Sequence, residues 1–212
     1  MNKVKLVTPI GSTTFAPWLL SPSKWNNAAR DGDGGSEKCE VDDIKGSYSV
    51  GLAFPADEFE KSPFKKTVDD LWGEHVKAHK GKFDEERPPY ELKDGKYVVK
   101  ASAKVGYEKN GKAEVFKRPY VMDCSGKDLM EHFDATETYP AADSDARIQV
   151  TCYMSPIVKH PHTKKKLVKM TFNLVGVQFQ KLVSTKAEDQ MDAISGEPVM
   201  AGMDADPDEI PF

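Results

Sequence analysis

Between Ser47 and Phe54 the side chains alternate with a period of two. Tyr48, Val50, Leu52 and Phe54 fall on one side, and Ser47, Ser49 and Gly51 on the other. A helix would scatter this pattern around its circumference, whereas a strand sorts it into one apolar and one polar face. Lys45 to Phe54 is therefore read as a strand, ended by Pro55. The pattern recurs at Lys96 to Val105, Lys112 to Val121, Arg147 to Ile157 and Lys165 to Leu182, with a shorter strand at Lys3 to Val7. Asn110-Gly111 supplies the best hairpin signal in the chain. Only Ser62 to about Lys80 has clear helical spacing, with Phe64, Val68, Leu71, Trp72 and Val76 recurring behind a Ser62-Pro63 start and before Gly81. A short helical piece is expected over Gly126 to Phe133, and a loop over Ala141 to Asp145. Five main strands and one substantial helix predict a mainly β fold: an OB-fold-like small antiparallel β-barrel. An open α+β sheet is the rival arrangement.

The chain has 212 residues, room for one domain with a real core plus a tail. It contains no apolar run of transmembrane length. Met1 to Val7 reads as the start of a strand rather than a signal peptide. Cys39, Cys124 and Cys152 are odd in number and widely spaced, as expected of free thiols in a reducing cytoplasm. Charge is distributed unevenly. Of 30 basic and 34 acidic residues, eight acids and no Lys or Arg lie beyond Lys186, so residues 1–186 carry +4. Residues 187–212 lack periodicity and are expected to form a disordered acidic tail behind a single domain over 1–186. A basic body with an acidic appendage suggests a polyanion-binding surface and a segment able to compete for it.

The strand faces sharpen that expectation. Opposite the core-like face of Tyr97, Val99, Ala101, Ala103 and Val105 stand Lys96, Lys100, Ser102 and Lys104. In the next strand Phe116, Arg118 and Tyr120 point one way, with Lys112 at the hairpin end. In the Arg147 strand, Arg147, Gln149, Thr151 and Tyr153 share the face opposite Ile148, Val150, Cys152 and Met154. Cations neutralise phosphates and aromatic rings stack on bases, which is the chemistry that single-stranded nucleic acid requires. The expected DNA contacts are thus Lys96, Lys100, Lys104, Lys112, Phe116, Arg118, Tyr120, Arg147, Gln149 and Tyr153. The basic loop Lys159 to Lys166 would extend such a groove, although a charge run is more commonly a solvated face. The loop before Lys45 shows Phe15, Trp18, Trp25 and the flexible Asp31-Gly-Asp-Gly-Gly35.

The chain ends Asp206-Pro-Asp-Glu-Ile-Pro-Phe212. This resembles the C-terminal peptide of bacterial single-stranded DNA-binding proteins, with Glu209 where Asp is usual. The body instead resembles phage single-stranded DNA-binding proteins with an OB-fold and an acidic tail. That resemblance spans most of residues 45 to 183. It runs through Tyr48-Ser-Val-Gly-Leu-Ala-Phe-Pro55, the Trp72 helix, Lys96-Tyr-Val-Val-Lys-Ala-Ser-Ala-Lys104, Arg147 to Ser155, and Asn173-Leu-Val-Gly-Val-Gln-Phe-Gln-Lys-Leu-Val183. The resemblance implies a non-enzymatic protein, monomer or dimer, that coats DNA during phage replication, repair and recombination in the host cytoplasm. It further implies a tail that recruits replication proteins such as DNA polymerase or helicase. Ile210, Pro211 and Phe212 would be the anchor, and Asp206, Asp208 and Glu209 the acidic lead-in. The alternatives are a tail-borne adaptor without DNA contact, or a metal-dependent nuclease using acids such as Asp69, Asp70 and Glu74.

No cofactor or metal is expected. His75 and His79 lie four apart on the helix, but Glu74 precedes His75, where the metalloprotease motif needs Glu after the first His. A calcium loop starting at Asp31 fails at its sixth position, Ser36, and its twelfth, Asp42.

Overall fold

The computed structural model describes residues 4–16, 18–26, 35–160 and 163–186. Four short strands come first: β1 Lys5–Val7, β2 Gly11–Phe15, β3 Ser23–Asn26 and β4 Gly35–Lys38. Then follow β5 Ser47–Pro55, α1 Ala56–Glu60, α2 Pro63–Ala78, β6 Glu85–Arg87, β7 Tyr90–Lys93 and β8 Lys96–Lys104. The remainder is β9 Gly106–Lys109, β10 Lys112–Val115, β11 Tyr120–Met122, α3 Met130–Thr136, β12 Thr138–Pro140, β13 Asp145–Met154, β14 Val158–Lys159, β15 Lys166–Lys181 and β16 Ser184–Lys186. No helix among the described residues is long and apolar enough to cross a membrane.

The longest ladders are those with the cleanest alternation. β5 and β8 pair antiparallel over their whole length, from Ser47↔Lys104 to Pro55↔Lys96. Their inward residues Tyr48, Val50, Leu52, Phe54, Val99 and Ala101 are buried. β13 and β15 form the second long antiparallel ladder, with a register shift between Gln149 and Val150, opposite Gly176 and Leu174. Five strands are joined in the order β5, β2, β13, β15, β8, and β8 returns to β5. Two joints are only two residue pairs long: Ser12 and Gly11 with Asp145 and Ala146, and Phe172 and Asn173 with Ala101 and Ser102. The ring is OB-like but open-seamed rather than laddered all round.

The expectation of a purely antiparallel sheet is corrected here. β15 runs parallel to β6, β8 and β11. Parallel neighbours need a long crossover, and the excursion through β13 provides one between β8 and β15. Three further expectations shift. The presumed loop before Lys45 contains the β3–β4 hairpin. The strand expected over Lys112 to Val121 breaks after Val115 and resumes at Tyr120, with Pro119, which lacks an N–H, in the gap. The short helix lies at Met130–Thr136 rather than Gly126 to Phe133.

α2 matches its expectation. Ser62 caps it, its Oγ accepting from Lys65 N at 3.1 Å and donating to Phe59 O at 2.6 Å, and Pro63 occupies the first turn. α1 is too short to show a period, yet it carries Phe59, which is fully buried. The Phe59 ring lies 4.8 Å from Phe54, 6.0 Å from Phe64, 5.7 Å from Tyr90 and 5.1 Å from Tyr97. Lys65 sits over Tyr90 and Tyr97 and pairs with Asp69 at 2.6 Å, while Tyr90 donates to the same carboxylate. This cluster fixes β7 against the edge of β8.

On the last turns of α2, His75 is buried and its Nε2 has no partner among the described residues. Burial, and then the neighbouring His79 ring at 4.6 Å, hold its pKa below the ordinary 6.5. The unfolded chain therefore takes up this proton more readily than the folded one, and stability is lost as pH falls below about 6.5. The melting temperature of His75→Leu is expected to fall less steeply than that of the wild type between pH about 7 and about 5. Parallel curves would mean that His75 takes up its proton equally in the folded and unfolded states.

Candidate nucleic-acid interface

The outward face of β5 is built from Ser47, Ser49, Gly51 and Ala53, all too small to fill the space above the sheet. The outward face of β8 opposes them with Lys104, Ser102, Lys100 and Val98 in register. Small side chains beside long cationic ones make a trough with a charged rim. It has a volume of about 850 Å³ and is walled by Thr14 of β2 and by Glu91, Lys93 and Asp94 of the β7 turn. A second hollow of about 430 Å³ shares Ser49, Glu91 and Lys100 with it and runs on to Arg87 and to Lys169 and Thr171 of β15. Lys100 pairs with Glu91 at 3.2 Å, but both side chains are well exposed. Such an exposed pair is worth little.

Lys96 and Lys100 line this trough, and Lys104 stands further along the same outward face of β8, opposite Ser47. The other expected residues are distributed elsewhere. Lys112 and Phe116 lie on the β9–β10 arm, where Phe116 is about half exposed. Arg118 turns inward. Its Nη2 donates to Leu20 O at 3.0 Å and approaches Met130 Sδ at 3.3 Å, and its guanidinium lies 5.9 Å from the Tyr48 ring centroid. The expectation that Phe116, Arg118 and Tyr120 share one strand face is therefore corrected, because the strand is interrupted between them.

Tyr120, Arg147 and Gln149 meet with Val7 and Gln178 around a separate hollow of about 290 Å³. Tyr120 donates to Gln149 Oε1 at 2.9 Å, and Arg147 donates to Gln178 Oε1 through Nε at 2.8 Å and Nη2 at 2.6 Å. Burial raises the Tyr120 pKa above its usual 10.0. A Cβ on Gly176 would stand 2.3 Å from the Tyr120 ring, so only glycine leaves room for that ring on β15. Tyr153 is exposed on β13 opposite Thr171, one strand beyond the β15 wall of the second hollow and two from Lys100 on β8. Asp206, Asp208, Glu209, Ile210, Pro211 and Phe212 lie outside the described residues.

Several groove residues were missed from sequence. Lys93, Arg87 and Lys169 sit on elements too short or too far along the chain to be linked to β8 by period alone. Trp25 is 65% exposed on β3, whose Ser23 pairs with Ser47. Alternation puts Trp25 on the same sheet side as Ser23 and Ser47, towards the Lys104 end of β8. The basic loop is partly tied back. Lys165 pairs with Glu85 at 2.6 Å, and Lys166 N donates to Asp84 Oδ2 at 2.7 Å. Among the described residues no three His, Cys, Asp or Glu side chains group as metal ligands would.

An OB-like ring with an open trough carrying Lys93, Lys96 and Lys100 across its second and third strands has room for an extended polyanion. In chain order those ring strands are β2, β5, β8, β13 and β15. The fold is shared with solved phage proteins. The single-stranded DNA-binding protein gp2.5 encoded by bacteriophage T7 matches with a TM-score of 0.55 at 13% identity, covering 97% of this chain and 100% of that one. The single-stranded DNA-binding protein of bacteriophage Enc34 matches with a TM-score of 0.52 at 15% identity over 90% of this chain and 89% of that one. The same protein in complex with single-stranded DNA gives 0.51 at 15% over 84% and 86%. No protein-family model matches the sequence, and no curated protein does.

Proposed function

We propose that this protein binds single-stranded DNA without sequence preference, as a coat rather than an enzyme, along the β5–β8 trough. The observation that carries the reading is the register itself. Lys100 and Lys104 face Gly51 and Ser47 across one ladder, Lys96 faces Pro55, and the trough opens beside Lys96 and Lys100. OB-type barrels bind oligonucleotides across their second and third strands and the adjoining loops. Here the trough occupies that face, and Trp25 stands in the first such loop. The fold shared with phage single-stranded DNA-binding proteins supports the same reading.

The wider reading is a phage protein of DNA replication, repair and recombination. Its acidic tail would offer Ile210, Pro211 and Phe212 to replication proteins such as polymerase or helicase, and would compete with DNA for the trough. This part is supported by the sequence of residues 187–212.

The test is a titration of fluorescent oligo-dT at two salt concentrations without metal, using the full chain and a chain ending at Lys186. The expected result is salt-weakened binding that leaves the oligonucleotide intact and tightens when the tail is removed. No binding by either chain at low salt would overturn the DNA reading and favour a tail-borne adaptor. Equal affinity of the two chains would remove the competing role of the tail.

A further inference from the structure

We infer that the β9–β10 arm is a second contact for single-stranded DNA, a stacking platform with a phosphate clamp at its tip, which lengthens the strand the protein holds. The inference rests on the trough reading above. The arm begins two residues after Lys104, so it grows directly out of the cationic strand of the trough. Its register pairs Lys112 with Lys109, Glu114 with Tyr107, and Val115 with Gly106 around an Asn110-Gly111 turn with positive φ at both residues.

Alternation places Tyr107, Lys109, Lys112 and Glu114 on one face. Phe116 continues that face. Its ring stacks on Tyr107 with centroids 5.3 Å apart and planes 24° from parallel. The Phe116 N–H donates to Val105 O at 2.7 Å, which anchors the backbone beneath the ring. Tyr107 donates to the Glu114 carboxylate, so the one acid on this face is already engaged.

Two features are hard to explain by folding alone. Both rings remain exposed, at 36% for Tyr107 and 51% for Phe116, so the pair is not a core contact. The tip sets Lys109 directly opposite Lys112, and like charges in that position oppose pairing. Among the described residues neither lysine is within ion-pair distance of a carboxylate. A phosphate between the lysines removes their repulsion, and a base on the open face of the ring pair covers it. Both are parts of one ligand, a nucleic-acid strand leaving the trough.

The test measures full-length protein against oligo-dT of stepped lengths. It compares wild type, the double variant Tyr107→Ala with Phe116→Ala, the tip variant Lys109→Glu with Lys112→Glu, and a trough variant at Lys100. On the shortest oligonucleotides that fill the trough, arm variants match wild type. On longer ones the wild type gains about 5- to 100-fold, a gain the arm variants lack. Arm variants that follow wild type at every length would overturn the arm while leaving the trough intact. Wild type that binds no length would overturn the trough reading instead. Arm variants that change only self-association would make the arm a contact between copies of this chain and would also overturn the inference. The tip variant keeps the test usable if loss of both rings impairs folding.

Discussion

Replacing Lys96, Lys100 and Lys104 together by glutamine is expected to lower affinity for oligo-dT about 100-fold at about 0.1 M salt. The three lysines stand on β8, Lys96 and Lys100 at the trough itself and Lys104 beyond it on the same face. Each phosphate neutralised on a single strand contributes about 0.7 to the slope of log affinity against log salt, so the three together carry about 2. Wild type and variant converge towards about 1 M salt, where counterion release no longer favours binding, and separate by about two decades at tenfold dilution. Lys77→Gln, on the exposed side of α2, is the control and should change little. A variant that loses affinity equally at all salt concentrations would show a damaged fold rather than lost phosphate contacts. One that keeps the wild-type slope would place the DNA elsewhere, and the Tyr120–Arg147–Gln149 hollow would be the next surface to test.

Phe59→Ala is expected to cost about 3–5 kcal/mol of folding stability, measured as a shift in the denaturant midpoint. The side chain is fully buried, and its ring touches Phe54, Phe64, Tyr90 and Tyr97 on four different elements. Truncation removes the transfer energy of the ring and leaves a void that rigid strands cannot collapse to fill. In a domain whose whole stability is about 5–15 kcal/mol, that is a large share. The consequence reaches the binding face. Tyr90 and Tyr97 hold β7 and the start of β8, the elements that carry Glu91, Lys93 and Lys96 at the trough wall. DNA affinity should fall with stability in this variant, whereas the lysine variants should lose affinity with an unchanged midpoint. A loss below about 1 kcal/mol would mean that α1 repacks over the gap.

The main ladders were readable in the sequence because burial on one face enforces a strict period of two. β5, β8, β13 and β15 follow from that rule, as do the inward positions of Val50, Leu52, Val99 and Ile148. α2 was readable for the same reason at a different period, and its start because Ser62 and Pro63 satisfy local backbone needs independent of the rest of the chain. Asn110-Gly111 marked its turn because both positions take positive φ. The lysine row on β8 came with the strand, since alternation decides which side chains face outward. What period cannot convey is which strands are neighbours. The parallel joint of β15 to β8 joins residues about seventy positions apart, and the Tyr120 ring seated on Gly176 joins residues almost as distant.

Tertiary structure alone assigned the remaining cations and aromatics. Arg118, Arg147 and Lys104 look alike in a sequence, each a cation on an outward strand position. In the fold, Arg118 is held by a backbone carbonyl and a tyrosine ring, and Arg147 by Gln178. Lys104 stands on the outward face of β8 beside small residues. Segments such as β7 and β3 acquire meaning only through their pairing, which brings Lys93 to the trough wall and Trp25 to the sheet side of Ser47. The sequence by itself determined the strands, the long helix and the outward lysine row, because these depend on local period and capping. The strand order, the trough and the division of cations between structure and surface depend on contacts between distant segments, and only the packed chain decided them.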